Sequence, residues 1–214
     1  MKARKMIASL FLLVCILGSN VLRAQQTPYA AELDEKVREF LEEHKEEWRD
    51  LNVPFEDGKV LYDIIIKNNY RSALEIGTST GHSTVWIAWA LSKTGGKLVT
   101  VEIDEQRQKE AISNLEKVGL SHLVDFRLGD AHEIVKEVLG PFDFVFSDAD
   151  KPWYVQYFKD VDPKLHKGGC FTAHNVLQSQ RGIAEYLEYV KSLSGYSTTI
   201  NRSSSSGISI SYKE

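Results

Sequence analysis

The 214-residue sequence is poor in cysteine, with only Cys15 and Cys170, and this scarcity excludes a disulfide-rich scaffold. It also lacks a surplus of basic residues: 26 Lys and Arg stand against 30 Asp and Glu, which gives a formal net charge of −4. Nucleic-acid partners need a basic surface, so this balance argues against them. Hydrophobic residues make up 43% of the chain, an ordinary globular composition, and the length fits one domain with one core.

The first 24 residues have the pattern of a secretory signal peptide. A short basic region precedes an apolar run over residues 6–18, and Ala24 offers a small residue at a cleavage point. The apolar run is too short for a comfortable membrane span, but an uncleaved anchor stays open. Cleavage would remove four basic residues and no acid, which takes the net charge from −4 to −4 − 4 = −8; these residues are Lys2, Arg4, Lys5 and Arg23.

These features predict an exported protein in which residues 25–214 form the functional domain. The protein would be periplasmic after cleavage, with no stable membrane span, or membrane-anchored if the segment stays uncleaved. A cytoplasmic protein is the alternative. Only Cys170 would remain after cleavage, so no disulfide could form within the mature chain.

The body of the sequence alternates between strand and helix patterns. After helices over residues 29–50 and 58–68, strands are predicted at 72–76, 97–102, 123–128, 142–147 and 169–173, and helices at 83–91, 105–118, 131–139, 153–161 and 181–193. Two further strands, 196–201 and 207–212, are joined by a Ser-rich turn and predict an antiparallel hairpin. The order predicts an α/β fold: a mostly parallel seven-stranded sheet with a C-terminal antiparallel hairpin and helices on both faces.

A glycine turn follows the first predicted strand, in the segment ALEIGTSTGHST over residues 73–84. Gly77 and Gly81 would let the backbone approach a ligand closely, and ligands of open α/β sheets bind beyond the carboxyl ends of the strands. The segment is neither a P-loop nor a G-x-G-x-x-G turn, so it does not indicate phosphate binding. Taken alone, it is equally well an ordinary strand–helix connection.

Four acidic residues lie at the ends of four successive strands: Glu75, Glu102, Asp130 and Asp148. Glu102 at the tip of the second strand can accept hydrogen bonds from both ribose hydroxyls of an adenosine ligand. An acidic cleft with no phosphate cradle suits a cationic nucleoside such as S-adenosylmethionine. Acids at loop starts can also be solvated surface groups, but their shared register at the strand ends favours a cleft.

Together these segments resemble the cation-dependent O-methyltransferases of the caffeoyl-CoA and catechol type, over residues 53 to 212. The resemblance is carried by the segments LEIGTSTGHS (74–83), VEID (101–104), GDA (129–131), DADK (148–151) with Tyr154 and Tyr157, and NVL (175–177). It implies a Rossmann-like class I methyltransferase fold and transfer of a methyl group from S-adenosylmethionine to a hydroxyl of a small, catechol-like aromatic acceptor, assisted by a divalent metal. Similar enzymes occur as dimers and as monomers, so a homodimer stays open.

The resemblance also implies roles for individual residues. The cofactor would be bound by Val53, Glu75, Gly77, Thr78, Ser83, Glu102, Asp130, Ala131 and Asp148. Asp148 matches the first metal ligand and Asn175 the last, and Lys151 matches the general base; these three form the predicted catalytic set. Trp153, Tyr154 and Tyr157 could border an aromatic acceptor pocket, or Tyr157 could pack in the core.

One position departs from the family pattern: His174 stands where a carboxylate ligand is expected. Histidine can ligate a metal through a neutral nitrogen, so we expect a metal site of Asp148, His174 and Asn175, which suits a divalent transition metal better than Mg²⁺. Loss of the metal is the alternative. His174 and the export signal also leave open a catalytically idle exported binding protein on a methyltransferase fold, whereas the missing G-x-G-x-x-G discourages an NAD-dependent oxidoreductase.

Overall fold

The computed structural model describes residues 28–46, 48 and 51–214. Residues Leu33–Glu214 form a compact unit, which carries the sheet. The predicted signal peptide lies outside the described residues. Within the described part of the chain, no helix has the length and apolar character needed to cross a membrane.

Seven strands and seven helices alternate along most of the described chain. The helices are α1 Pro28–Glu43, α2 Phe55–Asn68, α3 His82–Thr94, α4 Glu105–Lys117, α5 Ala131–Glu137, α6 Tyr154–Val161 and α7 Ile183–Ser192. The strands are β1 Ser72–Ile76, β2 Lys97–Glu102, β3 Val124–Leu128, β4 Phe142–Ser147, β5 Leu165–His174, β6 Tyr196–Asn201 and β7 Ile208–Lys213.

The seven strands form one sheet in the order β3-β2-β1-β4-β5-β7-β6. Neighbouring strands from β3 to β5 run parallel, and β7 is antiparallel to both β5 and β6. This confirms the predicted fold, including the C-terminal hairpin. The strand order changes direction between β1 and β4, and the cleft of an open α/β sheet lies at such a point.

Helices cover both faces of the sheet because successive side chains of a buried strand point to opposite sides. In β1, Leu74 packs in a cluster with residues of α6 and α7, whereas Ala73 packs with residues of α2 and α3. A third apolar cluster joins α1, α3 and α4. Cys170 is buried within β5, and burial raises the pKa of its thiol, so it packs as a small apolar residue.

Two predicted boundaries differ from the structure by four residues or more. The strand predicted to begin at residue 169 begins at Leu165, because a register shift in the β4–β5 pairing accommodates the glycines, and Tyr70 Oη donates to the Gly168 carbonyl at 2.6 Å. The first helix ends at Glu43 rather than near residue 50. Trp48, predicted to lie in that helix, instead stacks on His82 with the ring centroids 4.8 Å apart.

Candidate active site

A cleft of about 1010 Å³ lies at the carboxyl ends of the parallel strands. Of the residues predicted to bind the cofactor, act in catalysis or hold a metal, all except Glu75 line this cleft: Val53, Gly77, Thr78, Ser83, Glu102, Asp130, Ala131, Asp148, Lys151, His174 and Asn175. Residues from five strand ends and from the segment before α2 therefore face one cavity. Trp153 and Tyr154, which could have bordered an acceptor pocket, do not line it. The fold brings the predicted residues together without deciding the role of each.

The turn after β1 lies directly against the turn after β4. The Gly77 and Thr78 amides both donate to the Val101 carbonyl, and the Asp148 amide donates to the Ile76 carbonyl at 2.8 Å. Gly77 has a φ of +101°, and a Cβ atom there would lie 3.0 Å from the carbonyl carbon of Asp148. A side chain at this position would push the two turns apart, so glycine is needed to place Asp148 beside the β1 turn.

Glu75 lies beneath the cleft instead of lining it. Its carboxylate is fully buried and accepts hydrogen bonds from Ser83 Oγ, Thr84 Oγ1 and Thr100 Oγ1, each at 2.6 Å. Burial raises the pKa of Glu75 to about 7, although the three hydroxyls act in the opposite direction. The side chain thus joins β1, β2 and α3, and of its partners only Ser83 also faces the cavity.

Glu102 is held in place at the end of β2 by backbone amides. The Ser79 amide donates to Oε2 at 2.7 Å, and the amides of Ile103 and Asp104 donate to Oε1 at 3.0 and 2.9 Å. Ser79 adopts a left-handed conformation, with a φ of +50°, and its hydroxyl accepts from the Arg107 guanidinium at 3.2 Å. The carboxylate is therefore preorganised toward the cleft, and Ser79 and Arg107 are lining residues that the sequence did not indicate.

The loops after β3 and β4 meet at an aromatic pair. The rings of His132 and Trp153 stack with centroids 3.8 Å apart, and the His132 nitrogens lie 3.5 Å from Asp130 and 3.4 Å from Asp150. Asp130 also caps α5 by accepting from the His132 amide. Tyr157 both borders the cleft and packs in the core, so the two alternatives for this residue are compatible.

A buried histidine fixes the backbone of Val53 at the cleft. His82 Nδ1 lies 2.7 Å from the Val53 carbonyl, and Trp86 Nε1 donates to His82 Nε2 at 3.1 Å. Because Nε2 accepts, the proton of the neutral ring is on Nδ1 and is donated to Val53. Burial lowers the pKa of His82 to about 4, so the ring stays neutral.

Lys151 and Asp148 form an ion pair in the cleft. Lys151 Nζ lies 2.8 Å from Asp148 Oδ1, and it also sits 5.8 Å above the ring of Tyr154. Burial acts to raise the pKa of Asp148, but His174 and Lys151 outweigh it and hold that pKa below its usual range. The ion pair therefore fixes the position of Lys151 Nζ at the surface of the cavity.

His174 bridges two carboxylates from different parts of the chain. Nδ1 lies 3.0 Å from Asp148 Oδ2, and Nε2 lies 2.8 Å from Asp57 Oδ2 in the first turn of α2. Burial acts to lower the pKa of His174, but the carboxylates of Asp148 and Asp57 outweigh it and raise that pKa to about 9. Ser204 Oγ, from the Ser-rich turn, donates to the same Asp57 oxygen at 2.6 Å.

Sequence reasoning missed both Asp57 and Ser204. An acid in the first turn of a helix is usually an exposed group that interacts with the helix dipole, and a Ser-rich turn between strands is usually solvated. No local pattern separates Asp57, which is fully buried, from its exposed neighbour Glu56.

The side chains predicted to hold a divalent cation do not fit one in this arrangement. Both oxygens of Asp148 and both ring nitrogens of His174 already have partners within the protein. Asp57 Oδ1 is a buried oxygen without a hydrogen-bond partner in the described part of the chain. This oxygen and the Asn175 side chain are what the group leaves for a cation, so solvent would have to supply most of the six or more ligands of Mg²⁺ or Ca²⁺. Across residues 28–46, 48 and 51–214, no three His, Cys, Asp or Glu side chains are grouped to hold a metal ion.

The sheet order, the C-terminal hairpin and the cleft at the strand ends define a Rossmann-like methyltransferase fold. Solved O-methyltransferases share it. The structure of the Bacillus cereus enzyme in complex with SAH matches 87% of this chain and 96% of its own length, with a TM-score of 0.74 and 27% identity. TomG from Streptomyces achromogenes, solved with SAM and involved in tomaymycin synthesis, matches 90% of this chain and 92% of its own, with a TM-score of 0.71 and 26% identity.

The chain belongs to the O-methyltransferase family, whose model matches residues 24–194. A catechol O-methyltransferase from Niastella koreensis is 36% identical over 139 residues, which is 63% of this chain. Caffeoyl-CoA O-methyltransferase 1 from Arabidopsis thaliana is 29% identical over 163 residues, or 73% of this chain. The matched part of this chain spans 62% of the length of each of these relatives.

Proposed function

We propose that this protein transfers the methyl group of S-adenosylmethionine to a hydroxyl group of a small, catechol-like aromatic acceptor. The observation that carries the proposal is that Glu102, held by three backbone amides, and Lys151, held by Asp148, line the same cleft. Relatives named for methyl transfer to catechol and caffeoyl-CoA support this acceptor class.

The cleft suits the cofactor in charge and in shape. The lining holds five acidic side chains against the cations Arg107 and Lys151, and this acidic balance favours the sulfonium and ammonium groups of S-adenosylmethionine. The acids are Glu102, Asp104, Asp130, Asp148 and Asp150. Glu102 would accept from the ribose hydroxyls, and Ala131 with the His132 ring would lie at the adenine. The turn at Gly77 and Thr78, with Ser83 behind it, would hold the methionine end.

When bound, S-adenosylmethionine supplies an electrophilic methyl group. Once Lys151 has lost the proton of its resting ammonium form to solvent, Nζ takes the proton of the acceptor hydroxyl, so that the acceptor oxygen becomes a nucleophile. Asp148 fixes the position of Lys151 through the contact at 2.8 Å. The proposed roles of the chain are therefore orientation of both reactants and removal of one proton.

The test is a comparison of Lys151→Met with Lys159→Met, a matched variant at an exposed position on α6 that does not line the cleft. Lys151→Met should lower kcat for catechol or caffeoyl-CoA by roughly 10²–10⁴-fold, the usual contribution of a general base. Its affinity for S-adenosylmethionine, measured by calorimetry, should stay unchanged. Lys159→Met should match the wild type in both measurements.

The alternatives have different signatures in the same experiment. Cofactor binding by the wild type without methyl transfer to either acceptor would favour the idle binding protein. Absence of S-adenosylmethionine binding would refute the proposed function altogether.

A further inference from the structure

The His174 side chain is enclosed between two acidic residues at the end of β5. Only 2% of it is exposed, and each ring nitrogen lies within hydrogen-bond distance of a carboxylate oxygen, Asp57 on one side and Asp148 on the other. A carboxylate is an acceptor, and a neutral imidazole has one N–H. When both carboxylates are ionised, both contacts are hydrogen bonds only if each nitrogen carries a proton, so this arrangement calls for an imidazolium that donates to both carboxylates.

The charges in this cluster then balance within the protein. Asp57 and Asp148 contribute two negative charges, and His174 and Lys151 contribute two positive charges at 2.8 to 3.0 Å from them. Two buried carboxylates without counter-charges would repel each other strongly. In other proteins a divalent cation commonly neutralises such a pair of carboxylates. Here the positive charges come from the side chains of His174 and Lys151.

We propose that this site takes no divalent cation and that the Asp57–His174–Asp148 bridge stands in its place, with Asp57 as a positioning residue. The proposal builds on the methyl transfer proposed above. Asp57 does not line the cleft, yet a chain of contacts leads from it through His174 and Asp148 to Lys151 Nζ. Asp57 therefore acts on the Lys151 amine through two intervening side chains. Ser204 donates a hydrogen bond to Asp57 Oδ2 from the other side.

The first test is titration of the full chain, after chelator treatment, with MgCl₂ or MnCl₂ alone in a calorimeter. We expect no stoichiometric heat of binding and no change in melting temperature on addition of either ion. His174→Asp removes the bridge and supplies a third carboxylate, so that variant should bind one equivalent of Mg²⁺ and melt at a higher temperature with it. Binding of one equivalent by the wild type, as tightly as by His174→Asp, would overturn the proposal even if the variant folds poorly.

The second test separates a positioning role of Asp57 from a purely structural one. Asp57→Asn should lower kcat by about ten- to a hundredfold, since misplacement of a catalytic group by ~1 Å has an effect of that order. KM for the acceptor and the affinity for S-adenosylmethionine should stay within twofold of the wild type. Asp63→Asn, an exposed position on the same helix, is the matched control and should change nothing.

Histidine-selective ¹⁵N NMR gives a readout that does not depend on turnover. The His174 signals, assigned by their loss in His174→Gln, should show a proton on both ring nitrogens, and Asp57→Asn should move the Nε2 signal most. A single protonated nitrogen in the wild type would overturn the bridge. The metal titration and the NMR spectrum test the bridge even if no acceptor is methylated. Failure of the proposed function and failure of the bridge can therefore be distinguished.

Discussion

At the scale of single residues, the Glu102 carboxylate is preorganised for ligand binding. Three amides fix both of its oxygens, and 8% of the residue is exposed, at the cleft. Little conformational freedom is left to lose on binding, which is the main benefit of preorganisation.

Glu102→Ala should weaken S-adenosylmethionine binding by ~2 kcal/mol, because the ribose hydroxyls lose a charged acceptor. Titration calorimetry measures the change directly. Glu105→Ala is the matched control, since Glu105 is exposed at the start of α4 and lies outside the cleft. Equal affinity of wild type and Glu102→Ala would show that Glu102 does not hold the ribose.

At the scale of elements, the Glu75 carboxylate connects β1 with α3 and β2 through three hydroxyl groups. Burial raises the pKa of Glu75 from its usual value of 4.5 to about 7, so the folded state favours the protonated form. The stability that comes from this preference is fully present below pH 4.5 and is lost as the pH rises through 7. Above pH 7 the fold contains a buried negative charge.

The stability of the Glu75→Gln variant should therefore increase, relative to that of the wild type, as the pH rises from 5 to 8. Glutamine resembles the protonated acid, with one acceptor oxygen and one donor group, but it cannot ionise. The difference between a pKa of about 7 and the usual 4.5 corresponds to a stability effect on the order of 3 kcal/mol. Melting temperatures of both proteins at pH 5 and pH 8 measure the effect. Glu116→Gln, at an exposed position on α4, should leave the difference constant; a constant difference for Glu75→Gln would contradict the assignment.

At the scale of the whole molecule, the cellular location is still a proposal. The basic region and the apolar run within residues 1–24 predict export and a mature N-terminus near Gln25. N-terminal sequencing of the protein purified from its native host is the direct measurement. Intact Met1 in a soluble cytoplasmic fraction would refute export and would place the protein where S-adenosylmethionine is made.

The sequence by itself determined the sheet and the position of most site residues along it. Buried strands such as Phe142–Ser147 and turns such as Gly77 to Gly81 are set by local periodicity and by backbone conformations that favour glycine. Parallel strands share one carboxyl edge, so placing Glu102, Asp130 and Asp148 at strand ends was enough to place them in one cleft.

Only the tertiary structure decided where the side chains of Glu75 and His174 point and what they contact. Glu75 is one residue from the strand end, and the alternation of side chains along β1 turns it toward α3 and away from the cavity. Asp57 and His174 are 117 residues apart, and their contact arises from the packing of α2 against one face of the sheet, which no local pattern records. From the sequence, His174 beside Asn175 is predicted to be a metal ligand. In the folded protein both of its ring nitrogens contact carboxylates, because the fold brings Asp57 to it in addition to Asp148.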